Sequence, residues 1–122
     1  MDSRNQIFVH SCESTEEIAA DRIALTVASP PYRNTTDNEI HASDNSRFYR
    51  TRACRDGYSE YSHYLDWLEK IFGEVLRVTK PGGFCAMILG TVLFEEKHYP
   101  VPHDAVARLT RSGWEFHQDI LW

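Results

Sequence analysis

Ser29-Pro30-Pro31-Tyr32 is the stretch whose residue types could do chemistry: a hydroxyl, a main-chain carbonyl and an aromatic ring on a backbone stiffened by two prolines. Each proline holds its own φ near −65° and has no N–H, so neither can donate to a sheet. An elbow of this kind offers hydrogen-bond acceptors and a flat surface to a ligand. Two plainer readings stand beside that one, an ordinary turn and a polyproline recognition segment. Other candidate groups are less well placed. His98 and His103 lie five apart with Asp104 adjacent, but Pro100 and Pro102 bend the chain between them, and no metal site is expected. His10, His41, His63 and His117 have no ligand spacing, and no Ser-His-Asp or Cys-His arrangement can be argued.

The run from Asp21 into this elbow is β-branched and aliphatic without polar alternation, the pattern of a strand buried on both faces of a parallel sheet. The elbow then sits at the carboxyl end of a buried strand, where open α/β sheets bind ligands. A helix is predicted over about Glu60 to Val78, with Tyr61, Leu65, Leu68, Phe72, Val75 and Leu76 on one stripe and Asp66 and Lys70 paired on the other side. Thr79-Lys80-Pro81-Gly82-Gly83 ends it, proline forbidding continuation and glycine allowing positive φ. Phe84 to Gly90 reads as a second buried strand, so strand, helix and strand imply a right-handed parallel crossover. Leu93 to Val101 reads as irregular, Pro102 to Ser112 as a second helix stopped by Gly113, and Trp114 to Trp122 as a third strand. Near the amino end, Ile7 to His10 is a short strand candidate and Ser14 to Ala20 a short helix, Ser14 facing Glu17 in a capping box.

Residues 33–57 lose this periodicity and are rich in Asn, Asp, Thr and Ser. They read as a long surface loop, either solvated and disordered or a lid beside the elbow. Arg33, Asn34, Arg47, Arg50 and Arg52, with Phe48 and Tyr49 among them, are candidates to grip phosphates and stack on a base. Asp37, Glu39, Asp44 and Asp56 offset most of that charge.

Ser29-Pro30-Pro31-Tyr32 behind an apolar strand resembles the catalytic motif of the S-adenosylmethionine-dependent DNA amino-methyltransferases, which methylate the exocyclic amine of cytosine (N4) or adenine (N6). Leu76-Arg77-Val78-Thr79-Lys80-Pro81-Gly82-Gly83 resembles that family's helix-to-strand turn, and Asp119-Ile120-Leu121-Trp122 resembles the end of a later strand. The resemblance implies catalytic roles for Ser29, Pro30, Pro31 and Tyr32. The Ser29 hydroxyl and Pro30 carbonyl would accept the two N–H groups of the amine, and Tyr32 would carry a base taken out of its stack. Serine rather than aspartate at the first position leans toward cytosine. It further implies S-adenosylmethionine as cofactor, DNA as partner, a restriction-modification setting and a cytoplasmic protein. Many relatives carry Gly-Asp after the strand corresponding to Ile7–His10; here Ser11-Cys12 stands there, and Glu13 substitutes only by a shift.

Within that family the resemblance is to the circularly permuted group, whose catalytic motif precedes a Phe-x-Gly-x-Gly cofactor turn. No Gly-x-Gly occurs in this sequence, and Gly82-Gly83 follows a helix rather than a strand. The expectation is a single partial methyltransferase domain over 1–122: a partial Rossmann-like α/β fold, mainly parallel sheet with flanking helices. It would be the catalytic half, with its cofactor-binding residues unknown. Three strands apolar on both faces and only two long helices leave a sheet face or edge without cover. A homo-oligomer, or a complementing chain carrying the glycine-rich half, would supply that cover. The alternative is an inactive remnant acting as a self-associating binding module. Methylation of RNA or of a protein glutamine shares the Pro-Pro-Tyr logic but usually has asparagine where Ser29 stands.

Composition agrees with one domain and narrows the setting. The 122 residues are 42% hydrophobic and 25% charged, and a net charge of −5 argues against a protein that coats nucleic acid by bulk electrostatics. Three scattered cysteines, Cys12, Cys54 and Cys85, suggest neither a disulfide framework nor a zinc site. No apolar stretch is long enough to span a membrane and no leader pattern opens the chain.

Overall fold

The computed structural model describes residues 5–30, 61–94 and 96–121. Six elements follow one another: β1 (Ile23–Ala28), α1 (Tyr61–Val78), β2 (Thr79–Met87), β3 (Val92–Phe94), β4 (Lys97–Tyr99) and α2 (Val101–Arg111). β1 and β2 pair in parallel, so the strand, helix and strand form the crossover that their sequence order implies. The class is mixed α/β, a parallel pair with flanking helices.

The turn expected between helix and strand is folded into the strand itself. Thr79 directly follows α1 and already pairs with Ile23, while the next pairs are Leu25 with Phe84 and Val27 with Ala86. Across that interval β1 advances two residues and β2 five, so Lys80 to Gly83 arch out as a bulge. Gly82 takes φ +78° there. Gly83 meets a different demand, because a Cβ on it would sit 2.9 Å from the Lys80 carbonyl and 3.1 Å from that of Ala24 on β1. The start of β1 is tied to the end of the helix, Arg22 N–H donating to the Val78 carbonyl at 2.8 Å and Asp21 N–H to that of Arg77 at 3.1 Å.

The core lies between α1 and α2. Tyr64, Leu65, Leu68, Ile71 and Phe72 of α1 meet Val101, Ala105 and Leu109 of α2, positions recurring at three- and four-residue steps. Glu69 clamps the two helices, accepting from the Ser112 hydroxyl at 2.6 Å and pairing with Arg108 at 3.2 Å and Arg111 at 3.1 Å. Those partners, the Ser112 hydroxyl first, hold its carboxyl below the ordinary range. Asp66 pairs with Arg108 at 2.5 Å, and Lys70 lies nearest Glu13 at 3.6 Å. The expected partnership of Asp66 with Lys70 therefore yields to longer-range ones.

Four local expectations fail for reasons of hydrogen bonding. Ile7 to His10 has no strand partner among the described residues, and Ser14 to Ala20 turns without forming a helix. Thr15 is drawn to α1: its N–H and hydroxyl both donate to Glu74, at 2.8 and 2.7 Å, and Arg77 donates to the Thr15 and Ile18 carbonyls at 3.0 and 3.1 Å. With those groups engaged, a helix would have to give them up. Arg77, and then Thr15, hold the Glu74 carboxyl at about 2. The stretch expected to be irregular instead makes the β3–β4 hairpin, whose turn places Glu96 at φ +62°. The third strand does not form among the described residues. From Trp114 to Leu121 the chain runs without helix, turn or bend, but no described strand lies beside it, and Phe116, Ile120 and Leu121 are exposed.

Alternation along the pair leaves one face of the sheet bare. Cys85, Met87 and Ala28 pack against the core, whereas Leu25, Val27, Phe84 and Ile88 are about half exposed or more. The apolar run of β1 is thus covered on one face only among the described residues.

Candidate functional site

Ser29 and Pro30 leave β1 directly, and the last residue of that strand is pinned to the residue just past β2: the Ala28 carbonyl accepts from Ile88 N–H at 2.9 Å. The elbow therefore stands at the carboxyl edge of the sheet, beside the end of β2. Ser29 is exposed and Pro30 half-buried. Among the described residues none hydrogen-bonds the Ser29 hydroxyl. Pro31 and Tyr32 lie outside the described residues, as do Arg33, Asn34, Arg47, Arg50, Arg52 and the whole stretch 33–57.

The same edge receives the first turn of α1, the β3–β4 hairpin and the first turn of α2, because both helices run back against parallel strands. Tyr61 and Tyr99 bring their rings to 4.8 Å there, tilted by 58°, and the Tyr61 hydroxyl donates to Asp104 at 2.5 Å. The Lys97 ammonium stands 5.2 Å from the Tyr99 ring centre, within cation–π range. Ala28, Leu89, Tyr61 and Tyr99 all pack on one core that includes Val92 and Val101. Sequence reading missed this group. Tyr61 and Asp104 each carried a helical signal, but Tyr99 comes from a stretch whose pattern has no period, and nothing local in the sequence unites the three.

Three arginines elsewhere are occupied by the fold. Arg77 is bound to Glu74, and Arg108 and Arg111 to Asp66 and Glu69, so the interhelical arginines serve packing. Among the described residues no group of three or more His, Cys, Asp or Glu could hold a metal. Burial pushes the Cys85 thiol up to about 11, which makes it an inert core group rather than a nucleophile.

Among the described residues the paired glycines form no cradle beside the elbow. Gly82 and Gly83 lie in the bulge at the amino end of β2, the end of the sheet opposite the elbow, and the space above Gly83 is filled by the carbonyl of Ala24. A groove of about 700 Å³ does open, but on the far side of β2, between that strand, α2 and the segment after Trp114; neither Ser29 nor Pro30 lines it. No described helix is long and apolar enough to cross a membrane.

A family model described as DNA methylase matches residues 23–122. The fold superposes on the crystal structure of a candidate DNA modification methylase from Thermus thermophilus with a TM-score of 0.55, at 23% identity. That match covers 80% of this chain and 35% of the other, so the chain spans about a third of that protein's length. No curated protein matches.

Proposed function

We propose that this chain, which belongs to the DNA methylase family, is the base-holding half of a DNA amino-methyltransferase. The Ser29 hydroxyl and the Pro30 carbonyl accept the two N–H bonds of an exocyclic amine on cytosine, or on adenine, and Tyr32 stacks on the extruded ring. Gripping both N–H bonds draws the nitrogen lone pair out of conjugation with the ring and toward tetrahedral geometry, which makes a poor nucleophile usable. The observation that carries this reading is the position of Ser29: exposed, unbonded by described residues, and held at the carboxyl edge of the sheet through Ala28 and Ile88. The aromatic and acidic group at Tyr61, Tyr99 and Asp104 supports it by forming a firm wall on that same edge.

The methyl donor implied is S-adenosylmethionine, held by a glycine-rich turn outside these 122 residues. This chain's part ends at seizing the base and orienting its amine. The sheet face at Leu25, Val27, Phe84 and Ile88, bare among the described residues, supports completion of the fold by further polypeptide.

The test is reconstitution: the full chain is mixed with a polypeptide bearing a Phe-x-Gly-x-Gly cofactor half, and labelled methyl incorporation into duplex DNA is followed by nucleoside analysis. N4-methylcytosine or N6-methyladenine should appear, and Ser29→Ala should lower the rate by roughly 100-fold or more, the usual cost of one oriented hydrogen-bonding group. Equal rates for Ser29→Ala would dismiss the assigned role. No incorporation, together with no calorimetric binding of S-adenosylmethionine by the mixture, would favour a catalytically silent binding module.

A further inference from the structure

Among the described residues, the carboxyl edge of the sheet carries a cation that the fold leaves unspent. Arg77, Arg108 and Arg111 are tied to carboxylates, and Lys70 stands 3.6 Å from Glu13. Arg22 precedes β1 and Lys80 sits in the bulge at the start of β2, so both belong to the opposite end of the sheet. Lys97 is left. It is exposed on the β3–β4 hairpin, its ammonium 5.2 Å from the centre of the Tyr99 ring, and no carboxylate among the described residues pairs with it. Alternation along β4 puts residues 97 and 99 on one face of that strand. The electron-rich face of the ring attracts the ammonium and steadies it while leaving its charge intact; a carboxylate would neutralise it. Tyr99 is itself held, half-buried, with its ring 4.8 Å from that of Tyr61. Asp104, the acid of this group, accepts from the Tyr61 hydroxyl rather than from the lysine.

A base drawn out of its stack brings its own sugar and phosphate with it. Its ring goes to the elbow at Ser29 and Pro30, so the flanking phosphate stays at the rim of the same edge, where the hairpin stands. With a net charge of −5 on the chain, a duplex is repelled overall and local contacts must hold it. We propose that Lys97 binds the phosphate flanking the extruded nucleotide, with Tyr99 as the positioning residue that steadies the ammonium. A cation that reaches this phosphate only after the base has left the stack favours the extruded state over the stacked one, and so offsets part of the cost of unstacking. The contact carries no sequence information and acts at any target.

The proposal rests on the base-holding reading and adds a contact which that reading does not contain. Its test uses the full chain and a labelled short duplex with one cytosine opposite an abasic site, where extrusion costs least, beside the same duplex fully paired. Fluorescence anisotropy is read over a series of salt concentrations. Lys97→Ala should weaken binding to the abasic duplex roughly tenfold at about 50 mM salt and lower the slope of log affinity against log salt by about 0.9, the share of one phosphate. The fully paired duplex should lose less. Lys97→Arg should keep the slope, and Lys80→Ala, at the other end of the sheet, should change nothing. Tyr99→Leu should weaken binding about two- to fivefold, the worth of one exposed cation–π contact, while Tyr99→Phe, which keeps the ring, should bind as the wild type does. An unchanged slope for Lys97→Ala, an equal loss on both duplexes, or no binding of the abasic duplex would overturn the proposal. Equal losses for Tyr99→Leu and Tyr99→Phe would overturn the role given to the ring. The Ser29 reading fails separately, because its readout is methyl incorporation: full dependence on Lys97 with equal methylation rates for Ser29→Ala would dismiss the Ser29 role and leave the phosphate contact standing.

Discussion

Gly83→Ala should unsettle the junction of the two strands, and Gly73→Ala, the same chemical change in the middle of α1, should do the opposite. At Gly83 the new Cβ would stand 2.7 Å from the Thr79 methyl, 2.9 Å from the Lys80 carbonyl and 3.1 Å from the Ala24 carbonyl. None of these can retreat cheaply. Thr79 is only 7% exposed and its hydroxyl donates to the Val75 carbonyl at 2.6 Å, while the two carbonyls are backbone. Forcing a methyl into such a space costs about 1–3 kcal/mol, from which a stiffer unfolded chain returns about 0.5–1, leaving roughly 1–2 kcal/mol of lost stability. At Gly73 nothing lies within 4 Å of the new Cβ, so Ala should bring a gain of about 0.5–1 kcal/mol from helix propensity. With an unfolding entropy of about 2.1 cal/mol/K per residue, these amount to a fall in Tm of roughly 4–8 °C for Gly83→Ala and a rise of roughly 2–4 °C for Gly73→Ala. Thermal unfolding followed by circular dichroism reads both. Because the unfolded-state contribution is common to the two variants, shifts of the same sign would refute the close approach of β2 to β1.

Glu74→Gln should loosen the amino-terminal arm in a pH-dependent way. The folded carboxyl lies at about 2 against an ordinary 4.5, so its contribution is full above 4.5 and is lost as pH falls from 4.5 toward 2. The whole shift would amount to about 3 kcal/mol. Solvent screening at Arg77, 39% exposed, leaves roughly 1–2 kcal/mol. Urea midpoints of wild type and variant should therefore differ at pH 7 and converge near pH 2; a gap that does not change with pH rules the pairing out. Trp114→Phe removes the donor to the Phe72 carbonyl at 2.9 Å and should cost about 1 kcal/mol, lowering Tm by about 4 °C. An unaltered Tm would show that packing alone positions the indole.

Local sequence carries the parts of this molecule that depend on near neighbours in the chain. The stripe of α1 runs from Tyr61 to Val78 and that of α2 from Val101 to Arg111, close to the spans their three- and four-residue periodicity describes. The end of β1 at Ala28, ahead of Pro30, follows from a missing N–H, and the order of strand, helix and strand dictates a parallel pair with Ser29 at its carboxyl edge. That no Gly-x-Gly occurs among these 122 residues is likewise read from the sequence, whatever its fold.

Other features were settled by groups distant in sequence. Thr15 abandons a helix because Glu74 and Arg77, about 60 residues away, bind its polar groups more fully than a short helix would. Trp114 to Leu121 has a strand's composition without being a strand, since a strand exists only through a neighbour's hydrogen bonds and the described residues bring none beside it. Tyr61, Tyr99 and Asp104 converge only when two helix starts and a hairpin meet at one edge. Periodicity, proline and glycine speak for single elements; pairing, burial of the second sheet face and the company that a side chain keeps are properties of the assembled fold.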